Sequence, residues 1–131
     1  AGLFVLALTS NPEGREVQRA VGEDGSTVAA TVLRRLAERN AGAEPLGSFG
    51  AVVGATLGDL SAFDLAVNGP LLAPGIGAQG ATPADLPAVF GDAVGNVVPS
   101  VSRGVLRHGP DQTGLRDSAT ALADAVRTAV T

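Results

Sequence analysis

Four short apolar segments, separated by longer segments of mixed polarity, constrain the fold of this chain most. They lie at residues 3–8, 49–56, 71–74 and 96–101. The first has no polar residue on either face, which is typical of a strand buried within a parallel sheet. A helical pattern follows each segment, so the order is β-α-β-α-β-α-β-α. This order predicts an α/β fold with a parallel sheet and right-handed crossover connections.

Periodic apolar residues predict helices between and after the strands. Ser26 is the predicted N-cap of the first long helix. That helix repeats apolar residues at Val28, Val32 and Leu36 and ends near Asn40. The other predicted helical segments are residues 13–20, 59–67, 83–90 and 115–130.

The pattern contains four βα units, whereas a closed (β/α)8 barrel needs eight. Two architectures therefore fit, a small open α/β domain or half of a barrel, and residues 1–131 belong to one domain in either case. The chain also begins directly inside a strand predicted to be buried, which predicts part of a longer protein. Glycines in the second strand predict close backbone packing there.

The composition argues against several classes of function. A net charge of −4 without a basic run argues against nucleic-acid binding, and the four aromatic residues, all Phe, argue against base stacking. No apolar stretch approaches the roughly 20 residues of a membrane span, and residues 3–8 lack the basic flank of a signal peptide. Cys is absent, and the single His108 does not make a zinc site. We expect a cytoplasmic protein without a metal, a membrane contact or a nucleic-acid partner.

The most distinctive motif is the Gly-rich segment at residues 74–83, between the third strand and the helix predicted after it. Gly75, Gly77 and Gly80 match the G-x-G-x-x-G pattern of dinucleotide-binding loops. The match is imperfect because the helix begins only after the third glycine. About 20 residues later, where that pattern expects an acidic ribose ligand, the sequence has Ser100. A Gly-rich turn without a ligand and a loop that offers backbone N–H groups to a phosphate both remain open.

The position of Arg103 favours the phosphate interpretation. The third strand leads to Gln79, and the fourth ends in Ser102, Arg103 and Gly104. Gln donates two amide hydrogens, and Arg presents a charged fork that suits a phosphate. Barrel enzymes often bind phosphate with the loops after their last two strands. The two loops are therefore predicted to form one phosphate site.

Other polar residues near strand ends give weaker signals. Thr9 and Ser10 follow the first strand, where a hydroxyl can cap the next helix or bind a substrate. His108 lies beyond the fourth strand and is interpreted as a loop or surface residue. Three acids are predicted at helix termini or on the surface, without forming a catalytic set: Asp59, Asp64 and Asp85.

Residues 74–80, Pro-Gly-Ile-Gly-Ala-Gln-Gly, together with residues 101–104, Val-Ser-Arg-Gly, resemble the C-terminal half of orotidine 5′-phosphate decarboxylase. Residues 6–14 and 52–56 add to this resemblance and are similar to the longer actinobacterial branch of the family. The resemblance covers essentially the whole chain. It implies a (β/α)8 barrel, of which residues 1–131 are the C-terminal four βα units, and an enzyme that decarboxylates orotidine monophosphate to uridine monophosphate without a cofactor.

The resemblance implies which residues hold the phosphate. Gln79 and Arg103 would grip the 5′-phosphate of orotidine or uridine 5′-monophosphate. Backbone N–H groups near Gly80, and at Ser102 or Arg103, would assist them. The family often has Gly where this chain has Ser102, which leaves an amide contact possible and a closer backbone approach in question.

The resemblance also implies contacts to the rest of the nucleotide. Ser10 would hydrogen-bond the pyrimidine, or Thr9 would do so if the register shifts by one residue. The residues that would complete the substrate pocket are Pro74, Ile76 and Gly77.

The chain departs from the family in lacking the Asp-x-Lys-x-x-Asp array, and it contains no lysine. That array lies on the N-terminal half of the family's barrel and supplies the proton donor. The resemblance therefore implies that this chain carries no catalytic residue and is inactive alone. To be active it would need the N-terminal half of the barrel, and the complete enzyme would be a homodimer. Exposed sheet edges also predict that the stable form contains that half or a second half-barrel. A different phosphate-binding barrel enzyme, such as a sugar-phosphate isomerase or aldolase, and a non-catalytic nucleotide-binding module remain the alternatives.

Overall fold

The computed structural model describes residues 1–131 and contains one four-stranded sheet. The strands lie in the sheet in chain order, and every neighbouring pair is parallel. The α/β class and the parallel sheet are therefore confirmed. The strands are β1 (Leu3–Leu8), β2 (Phe49–Val53), β3 (Leu71–Pro74) and β4 (Val97–Ser100).

Five α-helices accompany the sheet. They are α1 (Pro12–Gln18), α2 (Val28–Arg39), α3 (Leu86–Phe90), α4 (Arg103–Leu106) and α5 (Gln112–Val130). Short 3₁₀ turns at Pro83–Asp85 and Gly91–Asn96 flank α3. No helix is both long and apolar enough to cross a membrane.

Helix α2 buries Ala29, Leu33 and Leu36, so its predicted amphipathic face is confirmed. Its predicted N-cap is wrong by one residue, because the hydroxyl of Thr27 accepts the N–H of Ala30 at 3.1 Å. The N–H of Ser26 instead donates to Asp24 Oδ1 at 2.9 Å, in the turn before the helix. Both hydroxyl residues suit a cap, and this turn decides between them.

The helix predicted at residues 59–67 is absent, and that prediction is wrong. Asp59 Oδ1 accepts the N–H of Ser61 at 2.8 Å, and Asp64 Oδ1 accepts the N–H of Ala66 at 2.9 Å. These local bonds hold the backbone in turns and compete with helical bonds. Residues 54–70 therefore connect β2 to β3 without a helix, and β2 ends at Val53, before the predicted residue 56. The apolar residues of the segment are still buried, at Leu60, Leu65 and Val67.

Strand β1 is buried only at its C-terminal end, at Ala7 and Leu8. The prediction of burial on both faces is wrong for its earlier part, where Leu3, Phe4 and Leu6 are 49%, 45% and 66% exposed. The reason is position, because β1 is one edge of the sheet. Strand β4 forms the other edge and exposes Val98.

The starts of two helices after β4, α4 and α5, differ from the sequence prediction. Residues 102–104 were expected to end the fourth strand as a loop, but a short helix, α4, begins at Arg103. Helix α5 begins at Gln112, three residues before the predicted start, because Asp111 accepts the N–H of Gly114 at 2.7 Å. The segment predicted as one helix at residues 83–90 consists of a 3₁₀ turn followed by the short helix α3.

A buried amide joins α2 to the sheet at the end opposite the Gly-rich loop. Asn40, the C-cap of α2, is 1% exposed, and its Nδ2 donates to the carbonyls of Phe49 at 2.7 Å and Val67 at 2.8 Å. Its Oδ1 accepts the N–H of Phe49 at 3.2 Å. A side chain at Gly47 or Gly69 would collide with this amide, so both positions need glycine.

Candidate phosphate-binding site

The Gly-rich loop follows β3 and closes on itself. Gly77 N–H donates to the Ala81 carbonyl at 2.7 Å, and Gly80 N–H donates to the Gly77 carbonyl at 3.0 Å. These bonds place Ala78 and Gln79 at the tip, where their N–H groups have no acceptor in the chain. The Gly80 N–H is used within the loop, so the free backbone donors near it are those of Ala78 and Gln79.

Positive φ angles make glycine necessary in this loop. Gly75, Gly77 and Gly80 have φ angles of 109°, 81° and 102°. A side chain at these angles is strained, so the pattern of glycines reflects the turn. Because the loop runs into a 3₁₀ turn only after Gly80, the structure does not show the glycine-to-helix geometry of a dinucleotide site.

The second loop leads from β4 into α4. The side chain of Arg103 is exposed and forms none of the three ion pairs of the chain. The N–H groups of Ser102, Arg103 and Gly104 have no acceptor in the chain, as expected at the start of a helix. A guanidinium and several amide donors are therefore available together.

The two loops meet in one cleft of about 150 Å³. A Cβ added to Gly77 would lie 3.9 Å from the Gly104 Cα, so the backbones approach closely. Arg103 is the single charged residue among those that line the cleft. The predicted residues that the structure brings together here are Pro74, Ile76, Gln79, Ser102 and Arg103.

A wider cleft of about 710 Å³ lies on the other side of the same loop. Gln79 lines both clefts, whereas Gly80 lines only the wider one. The carboxylates of Asp59 and Asp85 line the wider cleft. An anion is therefore favoured in the smaller cleft, beside Arg103, and disfavoured in the wider one.

Backbone hydrogen bonds lower the pKa of both carboxylates. The N–H of Thr82 is the main cause for Asp85, and the Thr82 hydroxyl adds to it, since both donate to Asp85 Oδ2 at 2.7 Å. The N–H of Ser61 has the same effect on the pKa of Asp59. The Thr82–Asp85 contact fixes the chain where the Gly-rich loop ends. The spacing Thr-x-x-Asp could have revealed it as a helix-start signal.

Ser10 lies at the end of β1, in a separate cleft of about 380 Å³. Its hydroxyl is exposed and has no partner in the chain. The Thr9 hydroxyl, by contrast, donates to Asn11 Oδ1 at 2.5 Å and accepts Gln18 Nε2 at 2.7 Å. Thr56 lines both this cleft and the wider one beside Gln79. The structure thus places Ser10 and Gln79 both after the C-terminal ends of strands, β1 and β3, but in different clefts.

Comparison with known proteins gives concordant matches. The sequence profile of the orotidine 5′-phosphate decarboxylase / HUMPS family matches residues 1–117. The chain is 76% identical over 131 residues to an orotidine 5′-phosphate decarboxylase of Streptomyces coelicolor, and 56% identical over 130 residues to one of Salinispora tropica. These matches cover 100% and 99% of this chain but 47% of each relative. The chain thus spans about half the length of the curated relatives it matches.

A solved structure agrees with this result. A crystal structure assigned as an orotidine 5′-phosphate decarboxylase from Streptomyces avermitilis superposes with a TM-score of 0.96 at 75% identity. The superposition covers 99% of this chain and 46% of that chain. The four parallel strands are half of the eight in a (β/α)8 barrel, so the half-barrel prediction is confirmed.

Proposed function

The chain belongs to the orotidine 5′-phosphate decarboxylase / HUMPS family, and we propose that it is the C-terminal, substrate-gripping half of a decarboxylase barrel. In this proposal the whole enzyme converts orotidine 5′-monophosphate to uridine 5′-monophosphate and CO₂ in cytoplasmic pyrimidine biosynthesis. One observation carries it: Gln79 and Arg103, neither with a partner in the chain, line one small cleft that contains no carboxylate.

The donors of this cleft suit the 5′-phosphate. The guanidinium of Arg103 supplies a charged fork, and the amide of Gln79 supplies two neutral hydrogens. The free N–H groups of Ala78 and Ser102 add donors from the two walls. Pro74 and Ile76 complete the lining, and the turn at Gly77 and Gly80 gives the loop its shape.

Ser10 is the proposed pyrimidine contact. Its hydroxyl is exposed and unpartnered, whereas the hydroxyl of Thr9 is already used to hold β1 against α1. This difference favours Ser10 over Thr9 for binding the base.

Binding of the 5′-phosphate contributes to the rate of decarboxylation although the phosphate does not react. Binding energy from a remote phosphate can be used to orient and destabilise the reacting group. Decarboxylation leaves a carbanion that must gain a proton, and this chain contains no lysine to donate it. We therefore propose that the catalytic Lys and Asp residues lie on the N-terminal half of the barrel. That half and this chain together form one complete barrel, and two such barrels form a homodimer.

A second candidate function is a phosphate-binding barrel enzyme that acts on another substrate. The separation of Ser10 from the phosphate cleft favours it, because the small cleft alone recognises a phosphate without reading a base.

Calorimetric titration of the chain with three ligands tests the proposal. We expect uridine 5′-monophosphate to bind more tightly than ribose 5-phosphate, and uridine to bind weakest. Arg103→Ala should weaken nucleotide binding roughly tenfold to a hundredfold, because a charge-assisted contact contributes about 1.5–3 kcal/mol. Arg116→Ala on α5 changes the net charge equally at an exposed site and should leave affinity unchanged. Equal affinity for uridine and its monophosphate would overturn the phosphate site, and a preference for ribose 5-phosphate would select the second candidate.

A further inference from the structure

We propose a second anion-binding site at Arg15 and Arg19, specific for a compact phosphate-bearing anion. It lies in the cleft of about 380 Å³ at the end of β1, between α1 and the start of the β2–β3 connection. Arg15 and Arg19 are the charged residues of its lining, and no carboxylate lines it. The cleft is therefore locally positive in a chain whose net charge is −4.

Both guanidinium groups are available to a ligand. The three ion pairs of the chain use Arg34, Arg35 and Arg127, and neither Arg15 nor Arg19 takes part. Arg15 lies in α1 and Arg19 is the C-cap of that helix, with its N–H donating to the Arg15 carbonyl, so the two residues are one turn apart. Two acids lie close to them in sequence, Glu13 and Glu16, and neither lines the cleft. Glu13 accepts a hydrogen bond from Asn11 Nδ2 at 3.3 Å.

The surroundings hold the site in shape. The guanidinium of Arg19 lies 5.8 Å from the ring centroid of Phe63, a cation–π contact that ties α1 to the β2–β3 connection. On the opposite side, Gln18 Oε1 accepts the N–H of Thr9 at 3.0 Å, and Gln18 Nε2 donates to the Thr9 hydroxyl at 2.7 Å. These contacts fix α1 at the end of β1 before any ligand binds, which lowers the entropic cost of binding.

The donors available match a phosphate group. Two guanidinium forks can each donate two parallel hydrogen bonds to phosphate oxygens. The hydroxyls of Ser10 and Thr56 line the same cleft and have no partner in the chain. Two positive forks and two neutral donors suit a dianion better than a carboxylate, which has only two oxygens to share among them.

This site is distinct from the proposed substrate-phosphate site. The clefts that contain Arg15 and Arg103 share no lining residue, and they lie at the ends of different strands. An anion at Arg15 would compete for the hydroxyl of Ser10, the proposed pyrimidine contact. That consequence rests on the proposed function, whereas the site itself does not.

Amide chemical-shift titration with inorganic phosphate, and separately with glycerol 2-phosphate, tests this site on the 131-residue chain in its stable assembly. We expect saturable shifts at residues 10, 15, 19 and 56, and at least tenfold weaker binding there in the double variant Arg15→Gln/Arg19→Gln. Arg34→Gln, which removes an exposed Arg from the ion pair with Asp24, is the matched control and should bind normally. A preference for the ester would identify the ligand as a phosphorylated metabolite, and equal affinity would identify it as any free phosphate group.

The design separates this proposal from the substrate site. Arg103→Ala should leave the shifts at residues 15 and 19 intact even if it removes every shift in the Gly-rich loop. If the double variant fails to fold, Arg15→Gln alone decides, because it keeps the contact between Arg19 and Phe63. Shifts confined to the Gly-rich loop and α4, or unchanged binding at residues 15 and 19 in the Gln variants, would overturn the second site.

Discussion

Gly77 approaches Gly104 closely beside the small cleft, since a Cβ added to Gly77 would lie 3.9 Å from the Gly104 Cα. The two residues belong to different loops, one after β3 and one after β4. Because neither has a side chain, the two loops approach closely, and the residues next to them, Ala78 and Arg103, line the same cleft with N–H groups that have no acceptor in the chain. The approach of these glycines is what makes two separate loops into one site.

Gly77→Ala should weaken binding of uridine 5′-monophosphate about fivefold to thirtyfold. The space for a methyl group exists, but a φ of 81° costs an L-residue about 1–2 kcal/mol, which shifts the loop away from its binding shape. Gly95→Ala is the matched control, since it has open space and no positive φ. Titration calorimetry measures the effect, and equal affinities of the two variants would show that the loop conformation does not matter for binding.

Ser10→Ala and Thr9→Val should have different effects. Loss of the Ser10 hydroxyl should weaken uridine monophosphate binding about threefold to tenfold and leave ribose 5-phosphate binding unchanged, since a neutral hydrogen bond contributes about 0.5–1.5 kcal/mol. Thr9→Val should instead lower the free energy of unfolding by about 1 kcal/mol, because its hydroxyl bonds Asn11 and Gln18. Loss of base discrimination in Thr9→Val alone would reverse the assignment.

Asn40→Ala should lower the free energy of unfolding by roughly 3 kcal/mol. The change leaves the Phe49 N–H and the carbonyls of Phe49 and Val67 without the partners shown here, and unsatisfied buried groups cost about 1–3 kcal/mol each. Urea denaturation measures the loss. Asn96→Ala, at a half-buried amide without a hydrogen bond, is the control, and equal losses in both variants would refute a special role for Asn40.

Asp85→Asn should remove part of the acid sensitivity of the protein. The folded-state pKa of Asp85 lies below its unfolded value, because the N–H and hydroxyl of Thr82 donate to the carboxylate. Its stabilisation is therefore present above the unfolded pKa of about 3.9 and is lost as pH falls through the lower folded pKa. The unfolding free energies of wild type and variant should converge at low pH and differ near neutrality. Asp92→Asn, which removes the same charge at an exposed carboxylate without a hydrogen bond in the chain, is the control.

The isolated chain should not decarboxylate orotidine monophosphate and should not sediment as a folded 12.9 kDa monomer. It contains no lysine, and Leu3, Phe4 and Leu6 on one sheet edge remain exposed. We expect a second copy or the N-terminal half of the barrel to cover them. Supplying the remaining half from the Streptomyces coelicolor relative should restore turnover, as measured by the loss of orotate absorbance. Turnover by the chain alone, above buffer, would refute this prediction.

The sequence predicted what depends on regular patterns. Apolar runs located all four strands, and the apolar repeat in α2 located its buried face. The same reasoning placed a helix at residues 59–67, because the apolar spacing there marks burial and does not distinguish a helix from turns fixed by Asp59 and Asp64. Local hydrogen bonds decided that case, and the apolar pattern carries no information about them.

The sequence predicted the residues of the phosphate site better than it predicted their arrangement in space. Gln79 and Arg103 were paired from chain order, and the structure places them in one cleft. The buried role of Asn40 was missed, because its partners Phe49 and Val67 are distant in sequence. Gly47 and Gly69 were the available signal, since each lies where a side chain would strike that amide.

The agreement between strand order in space and strand order along the chain has a kinetic consequence. Each strand pairs with the one made just before it, so the sheet can grow in the direction of synthesis, and no pairing requires the two ends of the chain to meet. The longest closure joins β1 to β2 across residues 9–48, much of which α2 shortens. Low sequence separation between contacts speeds folding. We therefore expect the pairing of β1 with β2 to be the slow step and the additions of β3 and β4 to follow quickly.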